Sequence, residues 1–458
     1  MQSKWPVLAV VSIGIFMSTL DGSIVNIANP SIAARFGVSI AQVQWVTTAY
    51  IVVITSTLLL FGWVGDRIGS HRIYTWGFVI FSLGSWLCST STSLAWLATH
   101  RCFQGLGASM MMATGVGLIT NAFPAEQRGK ALGISGTVVG MGNMVGPGLG
   151  GLLVGSFGWP SIFLINVPLG IVGSVLGWHY LQPTDTARSR SRFDLAGGAL
   201  LAATLVTMML ALAGAASPAY VLLGLAAVLG STFVWVESRV REPLLDWSLL
   251  RIPAVARGNL LAGCNYLGQM FAVFLMPFYL EKAMAFPPTR SGLFMTVLPA
   301  AMAVTAPVAG SLSDRFGPDR LVSLALFTMT AAFSLLSDVT LHTPLVCTGG
   351  ALALLGVGIG MFGSPNNNSM FSAAPRHKAG YLGGLVATVR NLFFALGVVT
   401  SAALFTWFMP PSAAVAPDPA AFSSALAATY RVAAGITLAG FLLSLCWRRP
   451  LARVTGPR

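Results

Sequence analysis

The sequence predicts an all-α membrane protein that crosses the bilayer fourteen times. Its 458 residues are 55% hydrophobic and only 9% charged, whereas about a quarter of the residues of a soluble protein are charged. Apolar runs of the length that spans a bilayer, about 20 residues, recur along the chain. They cover residues 7–29, 44–64, 74–92, 94–119, 131–156, 160–181, 195–213, 218–236, 257–280, 291–311, 321–340, 344–365, 384–409 and 427–447.

The basic residues support this count and predict that both termini are cytoplasmic. Lys and Arg are enriched in cytoplasmic loops of membrane proteins. With the N-terminus inside, the outer loops hold Arg35, Lys282 and Arg290, and the spans hold Arg101, Arg390 and Arg431. All other basic residues fall on the cytoplasmic side: Lys4, Arg67, Arg72, Arg128, Lys130, Arg188, Arg190, Arg192, Arg239, Arg241, Arg251, Arg257, Arg315, Arg320, Arg376, Lys378, Arg448, Arg449, Arg453 and Arg458. The net charge of +13 therefore reflects topology and predicts no nucleic-acid partner.

A short loop motif occurs twice in the chain. Its copies match at five pairs of positions: Gly62/Gly310, Asp66/Asp314, Arg67/Arg315, Gly69/Gly317 and Arg72/Arg320. Both copies follow even-numbered spans, the second and the tenth, and both face the cytoplasm. Two parallel six-helix halves would place them six spans apart rather than eight. Two extra helices, 195–213 and 218–236, are therefore expected between the halves.

No metal or cofactor is predicted. The five cysteines, Cys88, Cys102, Cys264, Cys347 and Cys446, lie in or near spans and are not clustered. They show neither metal-ligand spacing nor a disulfide framework.

Several motifs, in order along the chain, resemble those of the major facilitator superfamily, specifically its 14-helix drug:proton antiporter branch. The loop from Gly62 to Arg72 is similar to the superfamily's cytoplasmic signature, and Arg101-x-x-Gln104-Gly105-x-Gly107 resembles its fourth-helix motif. Residues Gly142, Gly146, Pro147, Gly150 and Gly151 match the fifth-helix motif of its antiporters. The stretches 20–30, 162–170 and 243–246 are similar to motifs of the 14-helix branch.

The resemblance implies a major facilitator fold of two six-helix bundles, residues 1–181 and 243–458, with two extra transmembrane helices within 182–242. It also implies antiport, and a latch at the duplicated loops that closes the cytoplasmic side. A tight turn would explain the glycines and arginines of the loops, but not Asp66 and Asp314 at matching positions. A carboxylate there can sit on the positive end of a neighbouring helix, in a contact that forms in one state and breaks in the other.

Asp21 is the most informative residue, because a carboxylate within a span is costly and usually functional. It lies about 12 Å from the outer end of the first helix, and Arg101 lies about 10 Å into the fourth, at 1.5 Å per residue. Opposite charges at one depth in lipid are expected to pair. We therefore expect an Asp21–Arg101 pair that makes and breaks as a proton, the coupling ion, binds. The alternative is a permanent pair that holds the helices together.

Candidate substrate-binding residues are polar or aromatic side chains at mid-depth, where transporter sites lie. Interhelical hydrogen bonding or core packing is the alternative for each of them. The candidates are Asn26, Tyr50, Gln104, Asn265, Gln269, Phe271 and Asn391. The fifth-helix motif is expected to pack closely and to seal the cavity against ion leak.

The sequence therefore predicts a proton-coupled exporter of lipophilic or cationic small molecules that works by alternating access. The alternative is an exporter or flippase of a lipid or lipid-like metabolite. A membrane-embedded enzyme has less support, because Asp21 with Arg101 is the one mid-depth group that qualifies, and we expect no enzymatic activity. We expect a monomer in the bacterial inner membrane, with the bilayer and a lipophilic substrate as partners. The sequence leaves open whether a periplasmic adaptor also binds.

Overall fold

The structure is a computed structural model that describes residues 4–182, 195–212, 219–240, 247–375, 378–410 and 418–446. These residues are almost entirely helical and contain no β-strand. The long helices are α1 (Lys4–Phe36), α2 (Trp45–Ile68), α3 (Ser70–Ser89), α4 (Leu94–Ala122), α5 (Ala125–Phe157), α6 (Asn166–Tyr180), α7 (Leu195–Leu212), α8 (Ala219–Glu237), α9 (Pro253–Phe278), α10 (Val297–Phe316), α11 (Pro318–Ser337), α12 (Leu345–Ala373), α13 (Ala379–Phe408) and α14 (Pro419–Cys446).

Shorter helical segments join these helices. Helices Ile40–Val43, Ser161–Leu164, Trp247–Leu250 and Pro288–Met295 precede α2, α6, α9 and α10, and a π-helical turn, Tyr279–Ala283, follows α9. Ser39 caps the first of them, since its hydroxyl accepts from the backbone N–H of Gln42.

Twelve described segments are long and apolar enough to cross a membrane, so the predicted count of fourteen spans is not supported. The predicted segments 74–92 and 195–213 do form helices, α3 and α7. However, α3 begins with Ser70, His71 and Arg72 and contains further serines, which lowers its apolar character. The apolar part of α7, Ala196–Leu212, is shorter than the other spans.

The two halves of the chain meet at their outer ends, opposite the predicted cytoplasmic loops. A single apolar cluster there joins α1 and α9, through Ile24, Val25 and Ala28 on one side and Phe271 and Phe274 on the other. All five side chains are fully buried. Towards the inner side, the large apolar clusters are separate: one is built from the first six long helices and the others from the later ones.

Helix α5 shows the same asymmetry. In its outer part, a Cβ on Gly151 would lie 2.9 Å from the Cα of Gly292, in the segment Pro288–Met295. In its inner part, Cβ atoms on Gly129, Gly133 and Gly140 would have no neighbour within 4 Å. The halves therefore touch on the outer side and separate along α5 on the inner side, where the interior opens towards the predicted cytoplasm. Helices α2 and α13 stay in contact further inward, since a Cβ on Gly384 would lie 3.2 Å from Cδ2 of Leu59.

Helix α7 packs where the halves adjoin. Its Leu205 and Met209 are buried together with Val52 of α2 and with Ala395 and Val399 of α13. Helix α8 packs on α7 and exposes apolar side chains such as Tyr220 and Val228 on its other faces. Helices α7 and α8 thus form a pair that is attached to both α2 and α13 through α7.

Candidate functional site

Asp21 lies at the centre of a fully buried polar cluster in the first half of the chain. Its Oδ2 accepts from Nη1 of Arg101 at 2.6 Å. Its Oδ1 accepts from the amide nitrogens of Gln104, at 2.9 Å, and Asn166, at 3.0 Å. Asp21, Arg101, Gln104 and Asn166 are each 0% exposed. Helices α4 and α6 thus supply donors to both oxygens of a carboxylate on α1.

The guanidinium of Arg101 is held from several directions. Its Nε donates to the backbone oxygen of Val46 at 2.9 Å, and its Nη1 also donates to Oε1 of Gln104 at 2.6 Å. It lies over the ring of Tyr50, 4.0 Å from the ring centre, and 5.7 Å from that of Phe163. A cation over an aromatic face is stabilised most when it is removed from water. The cluster therefore stabilises the ionised pair in an apolar surrounding.

The cluster is sealed within its own bundle and is not exposed to the open interior. Removing one partner of a buried ion pair leaves an uncompensated charge, which costs about 3–5 kcal/mol. Movement of a proton onto Asp21 has a similar effect on Arg101, because it removes the opposite charge. The arrangement can thus convert one protonation event into a rearrangement of α1 against α4.

The sequence reasoning missed two members of this cluster. Asn166 begins α6, and Ser85 of α3 accepts from the Gln104 amide at 2.7 Å. Asn166 stands in one of the stretches that resemble the 14-helix branch, but nothing in the sequence places it beside Asp21. Its mid-depth amide is the signal that a search for polar partners of Asp21 would have used.

The fifth-helix motif uses two faces of α5. On one face, Gly142 and Gly146 pack on α1, where a Cβ on either would overlap the hydroxyl of Thr19 or Ser23. On the other face, Gly151 packs on the segment Pro288–Met295 of the other half. Gly150 packs on Ile24 of α1, and the backbone oxygen of Pro147 approaches Gly292. One helix therefore contacts both the helix that carries Asp21 and the outer end of the other half.

Comparison with known proteins agrees with this architecture. The model of the Major Facilitator Superfamily matches residues 11–398 and 259–455. The chain belongs to the major facilitator superfamily. The matched family and the similar solved structures are transporters rather than enzymes. The chain is therefore a multi-pass integral membrane transporter.

Similar proteins of this superfamily include transporters with different named roles. The chain is 41% identical to the riboflavin transporter RibZ of Clostridioides difficile (strain 630), over 98% of either chain. It is 31% identical to the tetracenomycin C resistance and export protein of Streptomyces glaucescens, over 86% of this chain and 74% of that protein. The crystal structure of a bacterial homolog of the human lysosomal transporter Spinster, inward-facing and unoccupied, shares the fold, with a TM-score of 0.71, 15% identity, and coverage of 98% and 99%.

In this transporter the first predicted latch loop is exposed. Asp66 and Arg67 lie at the exposed end of α2, and Arg67 lies over the ring of Trp63. Among the described residues, no hydrogen bond or ion pair involves Asp66. An unengaged Asp66 is the arrangement expected of a cytoplasmic latch while the interior is open to that side. Its role as a latch stays a prediction.

The turn geometry of the loop motif is the same in both copies. Gly69 has φ +107° and Gly317 has φ +84°, a region that residues with a Cβ rarely adopt. Gly62 and Gly310 lie within α2 and α10, and Arg72, Arg315 and Arg320 are exposed. The side chain of Asp314 lies outside the described part of the chain, as do residues 243–246.

The remaining candidates do not join the Asp21 cluster. Asn26 is buried, and its Oδ1 has no hydrogen-bond partner within the described part of the chain. The same holds for Oδ1 of Asn265 and Nδ2 of Asn391. Gln269 is partly exposed, and Phe271 is fully buried in the outer apolar cluster. Tyr50 and Gln104, predicted to bind substrate, instead pack on or bind Arg101 in this conformation.

Proposed function

We propose that this protein is a proton-coupled secondary transporter that exports lipophilic small molecules by alternating access. The observation that carries the proposal is the buried Asp21–Arg101 pair, in which the carboxylate is the group that exchanges the proton. A carboxylate kept in the membrane without a metal to bind is expected to serve ion coupling. Its three donors are matched to the ionised form.

Protonation is coupled to the gate through α1 and α5. Asp21 lies between Thr19 and Ser23 on α1, the residues that face Gly142 and Gly146 of α5. Further along, α5 meets the other half at Gly151 and Gly292. A shift of α1 when the ion pair breaks is therefore transmitted to the outer contact between the halves. Rocking of the two halves around a midplane site is the usual motion of such transporters.

The finer topology belongs to the same proposal. We propose that α3 and α7 also cross the bilayer, giving fourteen crossings, because this count places nearly all basic residues on one side. The division into bundles 1–181 and 243–458, with the inserted pair within 182–242, follows from it. We place the protein, as a monomer, in the bacterial inner membrane. An adaptor partner is left to experiment.

Riboflavin is a second candidate substrate. The observation that favours it is the 41% identity to a riboflavin transporter over almost the full length of either chain. Resistance proteins of lower identity favour a drug instead. Export of a lipid-like metabolite is the remaining alternative.

Transport in proteoliposomes with an imposed pH gradient tests the proposal. Wild type is expected to move the substrate against its gradient, and Asp21→Asn is expected to lose this driven transport while it still exchanges labelled substrate at equal pH. Asp338→Asn, which changes an exposed carboxylate, is the matched control and should behave as wild type. Undiminished gradient-driven transport by Asp21→Asn would falsify the proposal. Riboflavin, a lipophilic cation and a fluorescent phospholipid, tested in parallel, separate the substrate classes.

A further inference from the structure

Arg390 is a second arginine within the membrane-spanning helices, and its surroundings differ from those of Arg101. It lies 11 residues after the start of α13, about 17 Å along the helix at 1.5 Å per residue. Its side chain is half-buried. No hydrogen bond holds it within the described residues, and neither ion pair found among them includes it.

The position of Arg390 on α13 places it inward of the apolar cluster that closes the outer side. Arg390, Phe394 and Val398 follow one another at intervals of four residues and share one helix face. Val398 is fully buried in the apolar cluster that closes the outer side. Arg390 lies two turns inward, about 12 Å away, and is not part of that cluster.

Aromatic rings and an unpaired donor accompany this cation. The ring of Tyr266 on α9 meets that of Phe394 edge-on, with ring centres 5.1 Å apart. Phe394 lies one helical turn from Arg390 on the same face of α13, which places this pair of rings beside the cation. Asn391 is 7% exposed, and its Nδ2 is buried without a hydrogen-bond partner in the described chain.

A guanidinium without a hydrogen-bond or ion-pair partner among the described residues is costly within the membrane and is usually retained for a ligand or an ion path. The carboxylate of Asp21 is already occupied by Arg101. Within the described part of the chain Arg390 is in no ion pair, so its charge repels cations and attracts hydrogen-bond acceptors. Arginine suits planar groups with two oxygen atoms, because its donors form a flat fork.

We propose that Arg390 and Asn391 bind the acceptor-rich edge of a planar aromatic substrate, such as an imide, quinone or carboxylate, with Tyr266 and Phe394 against its ring. This inference rests on the proposed transport function and names the substrate class within it. It selects neutral or anionic ring systems that carry carbonyl or carboxylate oxygens. Lipophilic cations, which the sequence also suggested, become the poorer substrates.

Equilibrium binding to the purified full-length protein tests this site without any proton gradient. The probes are riboflavin, which carries an imide edge, flavin mononucleotide, which adds a phosphate, and ethidium, a planar cation. Arg390→Gln is expected to weaken binding of both flavins by about ten- to a hundredfold, the range for losing a hydrogen bond to a charged group. Ethidium binding is expected to be unchanged or tighter. Arg390→Lys, which keeps the charge without the fork, should lie between wild type and Arg390→Gln.

The control is Arg431→Gln on α14, which removes an exposed cation and should leave all three affinities unchanged. Thermal unfolding of each variant is measured first. Equal loss of flavin and ethidium binding in Arg390→Gln would indicate a structural role and overturn the proposal. The proposal would also be overturned if Arg390→Gln bound the flavins as tightly as the wild-type protein does. The same holds if the wild-type protein bound only ethidium, or none of the three probes. Failure of proton-driven flux with selective flavin binding intact would instead count against the coupling mechanism and leave this site standing.

Discussion

The amide nitrogen of Asn166 donates to Oδ1 of Asp21 across 3.0 Å, although 145 residues separate the two. We predict that Asn166→Ala lowers the free energy of unfolding by about 1.5–3 kcal/mol, the usual value of a hydrogen bond to a charged group. Thermal unfolding of the purified protein measures this. Ser174→Ala on the same helix is the control, because the Ser174 hydroxyl bonds the backbone of its own helix, at Gly170. Equal stability of the two variants would contradict the prediction.

Tyr50 separates the contribution of its ring from that of its hydroxyl. The ring lies 4.0 Å from the Arg101 guanidinium, and the buried hydroxyl has no hydrogen-bond partner among the described residues. We expect Tyr50→Phe to be neutral or stabilising by about 1 kcal/mol, because it removes an unsatisfied polar group. Tyr50→Leu should lose about 2 kcal/mol, since the cation loses its aromatic face. Thermal unfolding measures the stability of both variants. A Tyr50→Phe variant less stable than Tyr50→Leu would contradict this expectation.

The outer contact between the halves depends on Gly151. A Cβ there would lie 2.5 Å from the backbone oxygen of Pro288 and 2.9 Å from the Cα of Gly292, and backbone atoms have little room to move away. We predict that Gly151→Ala opens the outer side and increases labelling of Thr289→Cys by an impermeant thiol reagent added from outside, in a cysteine-free background. Gly140→Ala, which meets no atom within 4 Å, is the control. Unchanged labelling in Gly151→Ala would show that the contact does not hold this conformation.

The turn at Gly317, in the second copy of the loop motif, allows the cost of backbone strain to be measured separately from steric overlap. Gly317 has φ +84°, and a Cβ on it would meet nothing within 4 Å. Gly317→Ala should therefore lose about 1–2 kcal/mol of stability through its conformation alone. Gly363→Ala, in the middle of α12 and equally free of neighbours, should be neutral or stabilising. Denaturation of both variants checks the sign, and a stabilised Gly317→Ala would refute the argument.

Helix α7 is expected to contribute stability through its buried face. Met209 is fully buried with residues of α2 and α13, so Met209→Ala should cost about 2–5 kcal/mol. Val228→Ala on the exposed face of α8 should change stability by less than about 0.5 kcal/mol. If both variants unfold like wild type, α7 does not help to join the halves.

Much of the fold was predictable because lipid imposes simple rules on a chain. Apolar runs and the placement of Lys and Arg predicted an all-α membrane protein. The helical segments 74–92 and 195–213 show the limit of this reasoning, since serines, an arginine and short length keep α3 and α7 out of the twelve described segments that are long and apolar enough to be spans. That these two helices also cross the bilayer stays a proposal. Asp21 and Arg101 were predictable partners because opposite charges at the same depth in lipid are expected to pair.

The sequence by itself determined the membrane class, the repeated loops with their glycines, and the residues that carry charge into the membrane. Tertiary structure alone decided what those charges meet. Asn166 and Ser85 join Asp21 and Gln104 because α6 and α3 pack beside α1 and α4, and packing between distant helices leaves no local pattern in a sequence. The same packing buries Arg101 among five partners and leaves Arg390 half-buried and outside any ion pair among the described residues. Residue type and depth in the membrane, which a sequence does give, are not enough to predict this difference.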